Sequence, residues 1–395
     1  MKTVSLKWLA VVLPTFSSWV VSSAMTMTTT TNPNNNRVAV VTGASRGIGR
    51  GIAVELGKAG YTVYALARST RSKPGLLGDQ RAVADGLDLT VESVAEAVTA
   101  AGGIGRGMYV DMSQDESIEG AFERIAEETG GRLDVVVCSA FTTPLQEKLR
   151  GDFWNQSMNM WDVCNGVGLR STYATCRVAA PIMIETANKQ NDERKRPPLL
   201  CCISSFGGKS YTFNVAYGVG KAGVDRMAQD MGYQLKKYGV ATTVLYPGLV
   251  KTEANLQMVV DGTWDEASGN LDLSTGETPE FTGKAIVALA NLGVDDMMDR
   301  SGNVEVVAEL AKELQFTEED GSVPPSIRSL KYLLPNFVFP AIEKESGKPV
   351  PGWIKNNIPD YLVPWSTFSS GPPRKYCCAF VAYCVCFSFF QCWMY

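Results

Sequence analysis

The sequence predicts an α/β domain built on a doubly wound parallel sheet, and three observations carry that expectation. Short apolar runs without polar alternation recur along the chain, as for strands buried on both faces. Segments with helical spacing separate them, and a glycine-rich turn joins the first run to the first such segment. A repeating β-α order folds as right-handed crossovers about one parallel sheet.

Taken in order, Val38–Val41 is the first, central strand. Ile48–Gly60 has helical spacing and places Ile52, Leu56 and Ala59 on one face. Tyr61–Ala67 is the second strand, and a polar connection over Ser69–Asp85 leads to a helix over Val91–Ala101. Met108–Val110 is the third strand, Ile118–Glu128 an amphipathic helix and Leu133–Cys138 the fourth strand. A long helix is expected over Trp161–Ile184, a fifth strand over Leu199–Ser204, a helix over Tyr217–Lys237 and a sixth strand over Ala241–Tyr246. Lys251–Thr278 is polar and reads as a loop over the substrate site; Gly283–Leu292 is a helix and Asn303–Val307 a last edge strand. Val323–Phe368, with eight prolines, reads as an extension packed on the surface.

The domain plan follows. Residues 1–24 read as a targeting segment, because Lys2 and Lys7 precede the apolar Trp8–Pro14 and Trp19–Val21, and Ser22-Ser23-Ala24 suits signal peptidase. Residues 25–36 are a Thr- and Asn-rich linker, 37–310 the catalytic domain and 311–368 the C-terminal extension. Residues 376–395 carry no charge and match the ~20 apolar residues that span a bilayer. A cleaved signal places the domain in the lumen, whereas Arg374 and Lys375 ahead of the tail favour a cytosolic domain. The expected location is the endoplasmic reticulum or secretory pathway, with membrane association through either apolar end; another organelle or the cytosol is the alternative. Asn155-Gln156-Ser157 is a glycosylation sequon if the domain is luminal.

Composition narrows the chemistry. The chain contains no histidine, which excludes Ser-His-Asp and Cys-His hydrolases and every His-ligated metal site. Proton transfer therefore falls to Tyr, Lys, Asp, Glu or Cys. A net charge of −4 offers no basic excess for nucleic acid. Of ten cysteines, Cys138, Cys164, Cys176, Cys201 and Cys202 sit in apolar stretches as small hydrophobes, and five crowd into the last 19 residues. No Cys-x-x-Cys pair occurs, so no metal site is expected.

The sharpest motif is Thr42-Gly43-Ala44-Ser45-Arg46-Gly47-Ile48-Gly49, directly after a strand and opening a helix. Gly43 permits the tight turn, Gly47 lets the backbone approach a pyrophosphate, and Gly49 allows close helix–strand packing. The free N–H groups and dipole of the helix N-terminus attract the diphosphate. An NAD site places Asp or Glu at the end of the second strand, but here that end reads Ala65-Leu66-Ala67-Arg68. Arg46 and Arg68 instead supply two guanidinium groups suited to a 2′-phosphate, so NADP(H) is the expected cofactor, with NAD as the alternative.

Tyr217-Gly218-Val219-Gly220-Lys221 sets a phenol and an ammonium one helical turn apart on one face. A free tyrosine near pKa 10 is a poor acid or base at neutral pH, and a neighbouring ammonium lowers that value. Ser205, twelve residues earlier after a strand, is placed to hydrogen-bond a substrate oxygen as charge develops; Ser204 is the adjacent alternative.

These residues resemble the short-chain dehydrogenase/reductase family, and within it the member 1 group most closely. Gly131-Arg132-Leu133-Asp134-Val135, Met160-Trp161-Asp162, Asn165, Val167-Gly168-Leu169-Arg170, Phe213-Asn214-Val215, the Tyr217–Lys221 motif, and Pro247-Gly248 through Thr252-Glu253 carry the likeness, which with Pro351–Trp365 spans about 37–368. The resemblance implies a Rossmann-type sheet of about seven strands and a homo-oligomer. It implies Tyr217 as acid/base, Lys221 also on the nicotinamide ribose, and Ser205 polarising the carbonyl. Asp111 would bond the adenine, Ala140 would border the cofactor, and Pro247, Gly248, Val250 and Thr252 would hold the nicotinamide amide. Steroids and assorted carbonyl compounds are the substrates that relatives suggest.

Two departures stand out. The family's Asn-Asn-Ala-Gly is here Cys138-Ser139-Ala140-Phe141, and the helix asparagine of its catalytic tetrad falls on Gly168, with Asn165 one turn earlier. The expected function is an NADP(H)-dependent carbonyl reductase or alcohol dehydrogenase acting on a small-molecule carbonyl or alcohol. A catalytically weakened cofactor-binding scaffold is the alternative from another class.

Overall fold

The computed structural model describes residues 37–72, 87–144, 147–189 and 196–368. The expected targeting segment (1–24), linker (25–36) and apolar tail (376–395) lie outside those residues. Among the described residues no helix is long and apolar enough to cross a membrane.

Seven strands form one sheet in the order β3-β2-β1-β4-β5-β6-β7, every neighbouring pair parallel. They are β1 (Val38–Thr42), β2 (Thr62–Ala67), β3 (Ile104–Tyr109), β4 (Val135–Cys138), β5 (Leu199–Ile203), β6 (Ala241–Tyr246) and β7 (Val304–Val306). Order reverses between β1 and β4, the switch point at whose carboxyl edge such sheets bind ligands. The expected doubly wound sheet is present.

Pleat alternation divides the core. Ala39 and Val41 of β1 face a layer made by α1 (Gly47–Lys58), α2 (Val91–Ala100) and a later helix, Pro279–Ala290. Val38 and Val40 face the opposite layer, made by α3 (Asp115–Thr129), α5 (Ser171–Lys189) and α6 (Val215–Leu235). Both faces are dry, which is why the central strands read as continuous apolar runs.

Three expected segments differ. Lys251–Thr278, expected as a loop, carries two short helices, Glu253–Val260 and Trp264–Ser268, the first capped by Thr252. The third strand begins at Ile104, not Met108, and ends before Val110. It is an edge strand whose residues are mostly exposed, so it carries no apolar run. Its glycines answer to packing instead: a Cβ on Gly105 would lie 1.9 Å from Ala95 O, and one on Gly107 2.6 Å from Val91 O, both in α2. The long helix expected over Trp161–Ile184 is two helices, α4 (Met158–Asn165) and α5, joined by a π-helical turn over Gly166–Arg170. Such a turn re-aims side chains in the middle of a helix, often beside a functional site.

After β6 the chain forms α7 (Glu253–Val260), α8 (Trp264–Ser268), α9 (Pro279–Ala290), α10 (Val294–Arg300) and α11 (Val307–Leu314). The C-terminal segment has a small core of its own, with Leu330, Leu334, Val338, Phe339 and Val363. It reaches the sheet through Trp365, whose ring meets Tyr246 at 5.9 Å, and Phe368, whose ring meets Phe206 at 4.9 Å. The extension thus backs the residues next to Ser205 and Pro247.

Candidate active site

The glycine turn sits at the switch point. Gly43 and Gly47 adopt φ of 67° and 55°, left-handed conformations that favour glycine. A Cβ on Gly43 would stand 2.7 Å from Ala140 Cα, and one on Gly49 2.4 Å from Gly43 O. Thr42 Oγ1 accepts the Ser139 and Ala140 amides at 3.1 and 3.2 Å, tying this turn to the one after β4. Ser45 is buried within the turn and Ile48 packs against the core.

Arg46 donates to Ser69 Oγ at 3.4 Å, so its guanidinium lies over the end of β2. Arg68 beside it is exposed, and residues 68–72 contain no acid. Asp111, just past β3, accepts the Ser113 amide at 3.0 Å and its hydroxyl at 2.8 Å, which fixes the carboxylate at the sheet's carboxyl edge.

Pro247 and Gly248 follow β6 and lead to Val250 and Thr252. Gly248 N–H donates to Glu277 Oε2 at 3.0 Å, and Val250 pairs with Glu277 in an isolated bridge. Thr252 Oγ1 caps α7 by accepting the Asn255 amide at 3.2 Å. Sequence reasoning gave no role to two acids of this lobe, Glu277 and Glu253. Glu277 is 1% exposed, and its burial pushes its pKa up to about 8. Glu253 accepts the Gly47 amide at 2.8 Å. No spacing rule marks either, because each acts on backbone distant in sequence.

The catalytic group is assembled from β5 and α6. Ser205 Oγ accepts the Gly207 amide at 3.1 Å and the Tyr217 hydroxyl at 2.7 Å. Ser204 is buried and hydrogen-bonds Lys221 O at 3.3 Å, so of the two serines it is Ser205 that meets Tyr217. Asn214 caps α6 by accepting the Tyr217 amide at 2.8 Å and donates to Leu149 O at 2.7 Å. Phe213, at φ 62°, turns the chain into that cap and sets its ring edge-on to Tyr217 at 5.1 Å. Non-glycine residues in that region are uncommon and cluster at functional sites.

Lys221 Nζ donates to Ile203 O at 3.1 Å and stands 5.8 Å from the Tyr217 ring centroid. Desolvation pulls its pKa down to about 8, against the opposing pull of Asp225 and Cys202. Tyr217 departs from the sequence expectation: burial pushes its pKa up to about 12, although the Ser205 hydrogen bond lowers it. The ammonium does not touch the phenol, so desolvation prevails and Tyr217 holds its proton.

The departures from the family pattern fit one another. Cys138 joins Cys176 and Cys202 in a buried cluster whose sulfurs lie within 4.8 Å of each other. Phe141 projects over Gly168, where a Cβ would come within 2.9 Å of its ring. Asn165 donates to Trp161 O and Ala216 O at 3.2 and 3.4 Å.

Residues 43–293 match the family model described as enoyl-(acyl carrier protein) reductase. Dehydrogenase/reductase SDR family member 1 of Homo sapiens is 34% identical over 84% of this chain and 95% of its own length; that of Mus musculus is 33% identical over the same shares. The chain belongs to the short-chain dehydrogenase/reductase family. A short-chain dehydrogenase/reductase from Mycobacterium marinum shares the fold, with a TM-score of 0.53 and 19% identity over 68% of this chain and 93% of that one. Short-chain dehydrogenases/reductases are oxidoreductases that bind a nicotinamide cofactor and act on small molecules. The residues of this site fit such a cofactor: the turn leaves no room for a side chain at Gly43 or Gly49, and Gly47 N–H already takes an anionic partner, the Glu253 carboxylate.

Proposed function

We propose that this short-chain dehydrogenase/reductase is an NADP(H)-dependent carbonyl reductase or alcohol dehydrogenase with Tyr217 as its acid/base. The observation that carries the reading is the 2.7 Å hydrogen bond from the Tyr217 hydroxyl to Ser205 Oγ, with Lys221 one turn along the same helix. A bound nicotinamide dinucleotide supplies or accepts the hydride.

This chain's residues do the rest. Gly43, Ser45, Arg46, Gly47, Ile48 and Gly49 would hold the diphosphate, and Arg46 with Arg68 would pair a 2′-phosphate. Asp111 would hydrogen-bond the adenine, Ala140 would border the cofactor, and Pro247, Gly248, Val250 and Thr252 would hold the carboxamide. A substrate carbonyl oxygen takes the place between Ser205 and Tyr217 that their mutual hydrogen bond now fills. Ser205 donates to it as negative charge develops, and Tyr217 gives up its proton to complete the alcohol. Lys221 offers a cation beside the forming phenolate and binds the nicotinamide ribose.

The test is turnover by the full chain with NADPH and with NADH against aldehydes, ketones, quinones and steroids. Consumption of NADPH in preference to NADH supports the reading. Binding of NADPH without consumption of either cofactor across the panel moves the scaffold reading ahead. We also propose attachment to a secretory-pathway membrane through residues 1–24 or 376–395, with another organelle or the cytosol as the alternative; retention in the membrane pellet after carbonate extraction supports attachment, and release contradicts it.

A further inference from the structure

We propose that Phe141 is a positioning residue that holds Lys221 in its ammonium form and braces Tyr217, using the space that Gly168 leaves. This rests on the reading of Tyr217 and Lys221 as the catalytic pair.

Three contacts converge on one ring. Lys221 Nζ lies 5.0 Å from the Phe141 centroid, within the ~6 Å reach of a cation–π contact. The ring also meets Tyr217 edge-on, at 5.5 Å and 83°. The π-helical turn presents Gly168 to the same ring, where a Cβ would lie 2.9 Å from Phe141 Cδ2 and 3.3 Å from Cε2. A side chain at 168 and this ring position therefore exclude each other.

The contact matters because Lys221 is short of partners. Among the described residues, Ile203 O is its one hydrogen-bond acceptor. The groups facing it are Tyr217 and Asp225 on its own helix, Cys202 on β5, and Cys164, Asn165 and Gly168 around the small cavity it shares with Phe141. Asp225 accepts the Tyr246 hydroxyl and Cys202 clusters with Cys138 and Cys176; among the described residues neither stands within ion-pair distance of Lys221. The negative face of the Phe141 ring stabilises the ammonium without adding an anion that would push the Tyr217 pKa still higher.

The test reads Lys221 directly, by NMR titration of its side chain in the cofactor-free full chain, so it does not depend on turnover. Phe141→Leu keeps apolar bulk and removes the ring; the Lys221 midpoint is expected to fall by about one pH unit, about 1.4 kcal/mol. Phe141→Tyr keeps the ring and the wild-type midpoint. Gly168→Ala displaces the ring and lowers the midpoint too, with no further fall in Phe141→Leu/Gly168→Ala. In turnover, the alkaline limb of kcat falls by the same interval while KM for the carbonyl holds. Equal midpoints in Phe141→Leu and Phe141→Tyr, or full additivity with Gly168→Ala, would overturn the proposal. Should Phe141→Leu lose its cooperative melt, Gly168→Ala carries the test alone. A wild-type enzyme without turnover would count against the catalytic reading and leave this titration standing.

Discussion

Glu253 accepts the Gly47 amide proton at 2.8 Å, so a carboxylate from the first residue of α7 rests on the N-terminus of α1. The start of α1 has free N–H groups and a dipole that favours negative charge. Glu253 satisfies it where a diphosphate is expected to lie, and the two anions compete.

Glu253→Gln removes the charge but keeps the size. We expect it to tighten NADPH binding by about 5-fold, on the order of 1 kcal/mol, and to lower the melting temperature of the cofactor-free protein. Calorimetric titration checks the first and thermal unfolding the second. Weaker NADPH binding in this variant would mean that Glu253 assists the cofactor instead of standing in for it.

Arg46 lies over the end of β2, where it donates to Ser69 Oγ at 3.4 Å. A charge-assisted hydrogen bond is worth about 1.5–3 kcal/mol, so Arg46→Ala should raise the Kd of NADPH by roughly 10- to 100-fold. The Kd of NADH should move by less than about 3-fold, since NADH lacks the 2′-phosphate. Equal loss for both cofactors would show that Arg46 shapes the turn and does not choose between them.

Glu277 ties stability to pH. Burial raises its pKa to about 8 in the fold, above the usual carboxylate value near 4.5. The folded chain therefore binds a proton that the unfolded chain has lost across this interval, and stability must fall as pH rises from about 4.5 towards 8. Each pH unit within it is worth about 1.4 kcal/mol. Glu277→Gln keeps an acceptor for Gly248 N–H and removes the titration. Its melting temperature should decline less than that of wild type between pH 5 and 8; parallel declines would remove Glu277 as the cause.

How far this was legible depends on the range of each force. Buried strands such as Val135–Cys138 show in composition, because both faces exclude water. The glycine turn and the Tyr217–Lys221 spacing show because their geometry is local. Edge strand β3 does not, since Gly105 and Gly107 are dictated by the α2 backbone. The π-helical turn at Gly166–Arg170 leaves the helical pattern almost intact and shows only in space.

The site divides the same way. Spacing brought Ser205, Tyr217 and Lys221 to notice, but not the balance between desolvation and the ammonium that keeps Tyr217 protonated. Gly168 and Phe141 read as two separate losses in sequence. In space they are one exchange, a missing side chain and a ring that fills its place. Glu253 and Glu277 bind backbone amides 206 and 29 residues away, a separation that no local pattern encodes.

The most direct test of the central claim compares wild type with Tyr217→Phe for both NADPH binding and NADPH oxidation in the presence of a carbonyl substrate that the wild type reduces. The account predicts that the variant binds NADPH as wild type does while its turnover falls by about 10²- to 10⁴-fold, the contribution of a positioned general acid. Turnover retained in Tyr217→Phe at the wild-type rate would contradict it.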